Sequence, residues 1–233
     1  MKHVLPDERL RTAAELVRQG AVFADIGTDH AYLPVFLCET ERITRAVAAD
    51  IGEGPLAVAE EHIKAHGLSH RIRTHLADGL AGLENEGLTD VAICGMGGEL
   101  IAQILAAAPF LRNEGIRLIM QPMTHAADLR YYLAKEGFAI TEERLAKAAG
   151  KYYFCFSASF TGVPYTLARL TAEMGQGNEN SPYYATVLKQ KRLSQEKKCK
   201  GLAMGGLSHE EELAYLEALR RKETELHEKN GAF

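Results

Sequence analysis

Between Ala21 and Gly137, short apolar runs alternate with longer amphipathic segments, and most of those runs end at an acid or a glycine. This alternation constrains the fold more than any other feature of the chain. The apolar runs at 21–26, 45–49, 71–76, 90–94 and 117–120 read as buried strands, and 31–39, 54–66, 99–107 and 126–136 read as helices. A helix at 5–19, closed by Gly20, precedes them. Residues 138–145 and 152–160 follow one another without a helix between them and should pair as an antiparallel ribbon. The expected fold is therefore α/β, with a mixed, Rossmann-like, seven-stranded sheet whose last strand is antiparallel and whose faces are both covered by helices.

Gly175 to Ser181 reads as a linker. Two helices, 182–201 and 208–229, follow it as an antiparallel hairpin joined through Met204-Gly-Gly206, with Ser208 and Glu211 at capping-box spacing and Leu213, Leu216 and Leu226 available to pack. The chain thus divides into a sheet domain, 1–164, and a linker with helical hairpin, 165–233.

Apolar residues at 46% and charged residues at 25% are the usage of a globular protein with a substantial core. No apolar stretch approaches the roughly 20 residues a membrane-spanning helix requires, and Met1 to Arg11 lacks a secretory apolar region. Cys38, Cys94, Cys155 and Cys199 lie far apart without a C-x-x-C pair, which fits a reducing cytoplasm better than a disulfide framework. His62, His66 and His70 follow a four-residue spacing, but Gly67 interrupts their helix and no metal site is expected.

Net charge is −4, yet it is uneven: residues 1–164 hold 16 basic and 21 acidic residues, whereas 165–233 hold 11 and 10. Within the tail Lys189, Lys191, Arg192, Lys197, Lys198 and Lys200 accompany Glu196 alone, a cluster able to meet phosphates.

Ligands of such sheets bind beyond the carboxyl ends of the strands. Those ends here carry Asp25-Ile-Gly27, Asp50, Asp78-Gly79 and Gly95-Met-Gly-Gly98. A pyrophosphate would meet carboxylates where a dinucleotide fold offers glycines, which weighs against NAD, FAD or ATP. S-adenosylmethionine, with its sulfonium and free amino group, inverts that logic. Asp50 stands where a carboxylate accepts from two ribose hydroxyls, and Asp78 where it could accept from an adenine amine.

Asp25-Ile-Gly-Thr-Asp-His-Ala-Tyr-Leu-Pro34, Asp50-Ile-Gly-Glu-Gly-Pro55, Asp78-Gly79, Gly95-Met-Gly-Gly98 and Gln121-Pro122 together resemble the bacterial tRNA (adenine-22-N1) methyltransferase family. The resemblance implies a class I, S-adenosylmethionine-dependent methyltransferase core with a C-terminal helical extension that helps hold tRNA, without a metal or an obligatory protein partner. Carried over, Asp25, Gly27, Asp50, Asp78 and Gly95, with their neighbours Ile51, Gly79, Met96 and Gly97, would form the cofactor pocket. Asp29, His30 and Tyr32 would face the target base, and Arg9, Gln121, Pro122, Lys197, Lys198 and Lys200 would contact the substrate. Many relatives carry Asn after the Gln-Pro pair, where this chain has Met123.

Alternatives stay open from residues alone. Asp29 could merely cap the helix after the first strand, and Tyr32 could be core packing. The target could be another RNA, a protein or a small molecule. A non-catalytic nucleotide- or RNA-binding module on the same fold is a third reading.

Overall fold

The structure, a computed structural model, describes residues 5–230; Met1 to Val4 and residues 231–233 lie outside the described residues. The chain divides after Thr166 into two compact units.

The first unit opens with α1 (Glu8–Leu16), capped by Asp7, whose carboxylate accepts from the Leu10 amide at 3.1 Å. Strands β1 (Ala21–Ile26), β2 (Ile43–Asp50), β3 (Ile72–Leu76), β4 (Asp90–Gly97), β5 (Arg117–Thr124), β6 (Phe138–Ala148) and β7 (Lys151–Phe160) form one sheet in the order β3-β2-β1-β4-β5-β7-β6. The first five strands are parallel, and β7 runs antiparallel to both β5 and β6. Helices α2 (Tyr32–Glu39), α3 (Glu53–Ala65), α4 (Gly98–Ala106) and α5 (Ala126–Lys135) make the crossovers.

Strand alternation sends successive side chains to opposite faces. Ala21 and Phe23 enter the core beneath α1, α2 and α3, whereas Ala24 and Ile26 enter the core that Ile101, Leu105 and Leu129 fill from α4 and α5. The buried side chains run continuously along the central strands, as a sheet covered on both faces demands. At the start of β4 the fully buried Asp90 accepts from the Arg18 amide at 2.9 Å and its Nε at 2.8 Å, tying the end of α1 to the sheet.

The chain passes outward from β1 to β2 and β3, then returns to β4 on the other side of β1. That reversal of strand order opens a crevice beyond β1 and β4, the place such folds reserve for a ligand. Ile26 pairs with Ile93 across it; Gly27 directly follows β1, and Gly95 sits at the irregularity in β4 between Cys94 and Met96.

The second unit holds α6 (Arg169–Met174), α7 (Tyr184–Met204) and α8 (Glu210–Asn230). Tyr184, Leu188 and Cys199 of α7 are buried, as are Tyr215, Leu216, Leu219 and Leu226 of α8. Leu213, expected to pack, is 41% exposed; Tyr215 and Leu219 fill the interface instead. Ser208 lies two residues ahead of α8 and makes no hydrogen bond with Glu211, so the expected capping box does not form; the His209 carbonyl takes the Leu213 amide at 2.9 Å. No helix among the described residues is long and apolar enough to cross a membrane.

Candidate active site

A cleft of about 400 Å³ opens at the β1/β4 crevice, lined by Asp7, Arg9, Asp25, Gly27, Thr28, Asp29, His30, Tyr32, Cys94, Gly95 and Gln121 among others. Its floor is the buried Asp25 carboxylate, which accepts a hydrogen bond from the Thr28 hydroxyl at 2.7 Å. Burial pushes the Asp25 carboxyl up to about 6; the Thr28 hydrogen bond opposes the rise, and the charge of Asp50 adds to it. Thr28 was not singled out from the sequence, although its position three residues after Asp25 permits this local bond.

Gly27 and Gly95 adopt φ of 76° and 79°, the left-handed region that glycine tolerates without strain. A side chain at Gly95 would project into open space, whereas one at Gly27 would meet the Met96 methyl at 2.0 Å. Met96 therefore backs the first glycine turn, and Gly97 is the N-cap of α4. Gly98 is required for a different reason: an added Cβ would lie 2.3 Å from the His125 carbonyl oxygen.

Asp50 ends β2, with one carboxylate oxygen accepting the Gly52 amide at 2.8 Å. Ile51 beside it is 71% exposed. Asp78 and Gly79 line a second hollow of about 410 Å³ against Leu100 and Ile104 of α4, separate from the lining of the first. The structure thus brings Asp25, Gly27 and Gly95 together, sets Asp50 within electrostatic reach of Asp25, and places Asp78-Gly79 on a neighbouring hollow.

On the outer wall Asp29 is well exposed, and its carboxylate lies 3.3 Å from His30 Nε2. Asp29 does not cap α2: the N-cap is Ala31, and no side chain bonds that helix start. Tyr32 is 39% exposed, and its ring stacks on His30 with centroids 5.0 Å apart. The core-packing alternative for Tyr32 therefore does not describe its surroundings.

Arg9 enters the cleft from α1. Asp7 holds its Nε at 3.0 Å, its guanidinium lies 5.3 Å from the centre of the Tyr153 ring, and its Nη1 reaches the Met123 sulfur at 2.7 Å. Met123 thus engages a cation that the cleft contains. The buried Gln121 accepts the Gly95 amide at 3.2 Å and donates to the Pro122 carbonyl at 3.0 Å, bracing the β4 turn. Pro122 is buried in β5 and does not line the cleft. Burial raises the thiols of Cys94 and Cys155, the latter to about 12, so neither offers a thiolate.

The three histidines spaced along the chain from His62 hold no common ligand point. His62 Nδ1 contacts the His30 carbonyl at 2.7 Å, and His66 Nδ1 contacts Glu39 at 2.6 Å. His125 is the left-handed N-cap of α5 and bonds Asp128 at 2.9 Å, with Glu99 3.7 Å away.

In the second unit Lys197, Lys198 and Lys200 are exposed on α7. The basic run is less free than its sequence suggests. Lys191 pairs with Glu173, Arg192 with Glu196 and Glu223, and Lys198 with Glu212 at 2.8 Å. Hydrogen bonds from Lys198, Gln195 and Arg169 hold the Glu212 carboxyl down at about 2. Lys189, Lys197 and Lys200 have no carboxylate partner among the described residues.

Comparison with known proteins places this geometry in a family. The methyltransferase domain family matches residues 6–156. The tRNA (adenine(22)-N(1))-methyltransferase of Bacillus subtilis is 38% identical over 153 residues, 66% of this chain and 64% of that protein; the match thus spans a little under two thirds of the relative's length. The Bacillus subtilis M1A22 tRNA methyltransferase structure is 30% identical with a TM-score of 0.71, covering 95% of this chain and 97% of that one. The Streptococcus pneumoniae protein Sp1610, solved in complex with S-adenosyl-L-methionine, is 31% identical with a TM-score of 0.79, covering 92% of this chain and 98% of that one. The chain belongs to the methyltransferase domain family and, within it, to the family of the Bacillus subtilis tRNA (adenine(22)-N(1))-methyltransferase.

Proposed function

We propose that the chain methylates ring N1 of adenine 22 in tRNA with S-adenosylmethionine as the methyl donor, acting in the cytoplasm where its substrate is found. The observation that carries this reading is the graded acidity of one cleft: a buried Asp25 at its floor and an exposed Asp29 beside two aromatic rings at its wall. The names of the relatives support the same reading.

The residues fit the cofactor. Gly95 leaves the approach beside Asp25 open, and a cleft with this many carboxylates suits a ligand with two positive charges and repels a pyrophosphate. Asp25 would hold the cationic methionine end, and Asp50, whose second oxygen meets no protein group among the described residues, would accept from the ribose. Asp78-Gly79 and Ile51 would bound the adenine side. S-adenosylmethionine, when bound, supplies an electrophilic methyl on a positive sulfur.

Ring N1 of neutral adenine attacks with a lone pair, so Asp29 has no proton to remove from it. Asp29 accepts a hydrogen bond from the exocyclic amine and stabilises the positive charge that develops on the base. Tyr32 presents a ring face for a base taken out of its stack, and His30 holds both Asp29 and Tyr32 by its two contacts. Arg9 and Gln121 border the entrance, and the free lysines of α7 would meet tRNA phosphates.

The test is nucleoside mass spectrometry of bulk tRNA from cells with and without the gene. Loss of 1-methyladenosine supports the reading. An unchanged tRNA pool with a methyl mark lost from ribosomal RNA or protein would transfer the activity to that substrate, and no lost mark would favour a binding module.

A further inference from the structure

We infer that His62, on α3, is a positioning residue for the base-facing wall of the cleft, holding the Asp29–Tyr32 turn through the His30 carbonyl. The inference rests on the function proposed above and concerns a residue outside the motifs that identify the family.

The position of the His30 carbonyl, just ahead of the N-cap Ala31, creates the need for such a residue. The first i to i+4 bond of α2 runs from the Val35 amide to the Ala31 carbonyl at 3.0 Å, so the His30 carbonyl, one residue earlier, lies outside the helical ladder, and Pro34 has no N–H to offer it. No backbone amide among the described residues reaches the His30 carbonyl. The turn is also strained, because Ala31 holds φ of 53° with a Cβ and α2 starts without a side-chain cap. A carbonyl without a donor at a strained turn costs free energy and would let the turn relax.

His62 supplies the missing donor. Its Nδ1 lies 2.7 Å from the His30 oxygen, and its ring meets the Tyr32 ring edge-on with centroids 5.1 Å apart. The His66 ring supports His62 in turn at 4.5 Å. One imidazole thus touches the residue on each side of Ala31, and the Nδ1–H can donate whether the ring is neutral or charged. The geometry directs Asp29 and Tyr32 at the base without His62 itself reaching the cleft, whose lining does not include it.

Asn and Leu are close in shape, but only Asn can place an N–H near the imidazole Nδ1. Purified His62→Leu should therefore lose about tenfold or more in kcat for tRNA, the cost of a turn misplaced by a fraction of an ångström, while His62→Asn stays within about threefold of the unmodified enzyme. S-adenosylmethionine affinity and the KM for tRNA should change by less than about threefold in both, since neither variant removes a group that binds cofactor or tRNA. Hydrogen exchange of the amides from Thr28 to Leu33 should quicken in the Leu variant and not in the Asn variant. Full kcat in His62→Leu, or equal loss in both variants, would overturn the inference. Should the Leu variant fail to fold, His62→Gln, which carries its amide one bond too far, takes its place with the same expected loss. If the unmodified chain does not methylate tRNA, the proposed function falls by itself. The exchange measurement still judges His62, for identical exchange in both variants would overturn its role.

Discussion

Thr28 donates a 2.7 Å hydrogen bond to the buried carboxylate of Asp25, yet that carboxyl still titrates near 6 because burial outweighs the bond. A carboxyl raised from 3.8 to about 6 takes up a proton on folding, so its contribution to stability is complete below about pH 4 and is lost as pH rises through about 6. The loss is on the order of 2–3 kcal/mol at most. Chemical denaturation of the cofactor-free protein should therefore show Asp25→Asn more stable than the unmodified chain above pH 6, with the gap closing towards pH 4. Parallel curves across that range would remove Asp25 as a strained acid.

The same group should couple cofactor binding to protons. If an ionised Asp25 faces the cationic end of S-adenosylmethionine, affinity should fall as pH drops below about 6, and calorimetry in buffers of different ionisation heat should register proton release near that pH. Binding in Asp25→Asn should be weaker and lack this dependence. A dependence that persists in the variant would assign the proton elsewhere.

Asp50→Ala should weaken S-adenosylmethionine binding by roughly 1–3 kcal/mol, the loss expected when hydroxyls are left without their acceptor. Part of the effect would come from the Gly52 amide, which loses its 2.8 Å acceptor. Calorimetry that finds unchanged affinity removes the ribose assignment.

Asp29→Ala should leave cofactor affinity nearly intact and slow methyl transfer by about two orders of magnitude, the typical loss for one electrostatic stabiliser. Because Asp29 caps no helix, the melting temperature should hardly move. Single-turnover rates at saturating cofactor decide the matter; a variant at full speed would make Asp29 a bystander.

The pairing of α7 with α8 separates its lysines into two classes. Replacing Lys197 and Lys200 by alanine should lower the log–log salt slope of tRNA binding by roughly 1.5–2, at just under one for each phosphate left without its lysine. Lys198→Ala removes a partner of Glu212 and should act more on hairpin stability than on that slope. Filter binding across a salt series with both variants checks this; equal slopes in all would mean that α7 does not meet the phosphates.

Much of the fold was legible in the chain because a doubly covered parallel sheet writes its strands as apolar runs that end in the ligand-facing acids. The strand ends were harder to read. β4 and β5 run past their apolar parts, since Met96 still pairs with Pro122 and Gly97 with Thr124, and proline and glycine do not signal strand. The six-residue α6 is too short to display a helical period. Charge counted along α7 overstated its free cations because neutralising acids come from other helices, Glu173 from α6 and Glu212 and Glu223 from α8. The link from His62 to the His30 carbonyl joins positions 32 apart in sequence, and no local pattern announces it. Asp25 and Asp50 stand at the ends of β1 and β2, a position that is itself a sequence signal, and Asp29 follows in the turn after β1. Thr28 and His62 act by supporting other groups, and a supporting role leaves little mark on composition or spacing.

The central claim is best tested with the purified chain, S-adenosylmethionine and an unmodified tRNA carrying adenine at position 22, followed by nuclease digestion and mass spectrometry of the fragments. The account predicts 1-methyladenosine at position 22 and none in a tRNA with guanine there. Methylation at another position or on the exocyclic amine, or none with active cofactor binding, would contradict it.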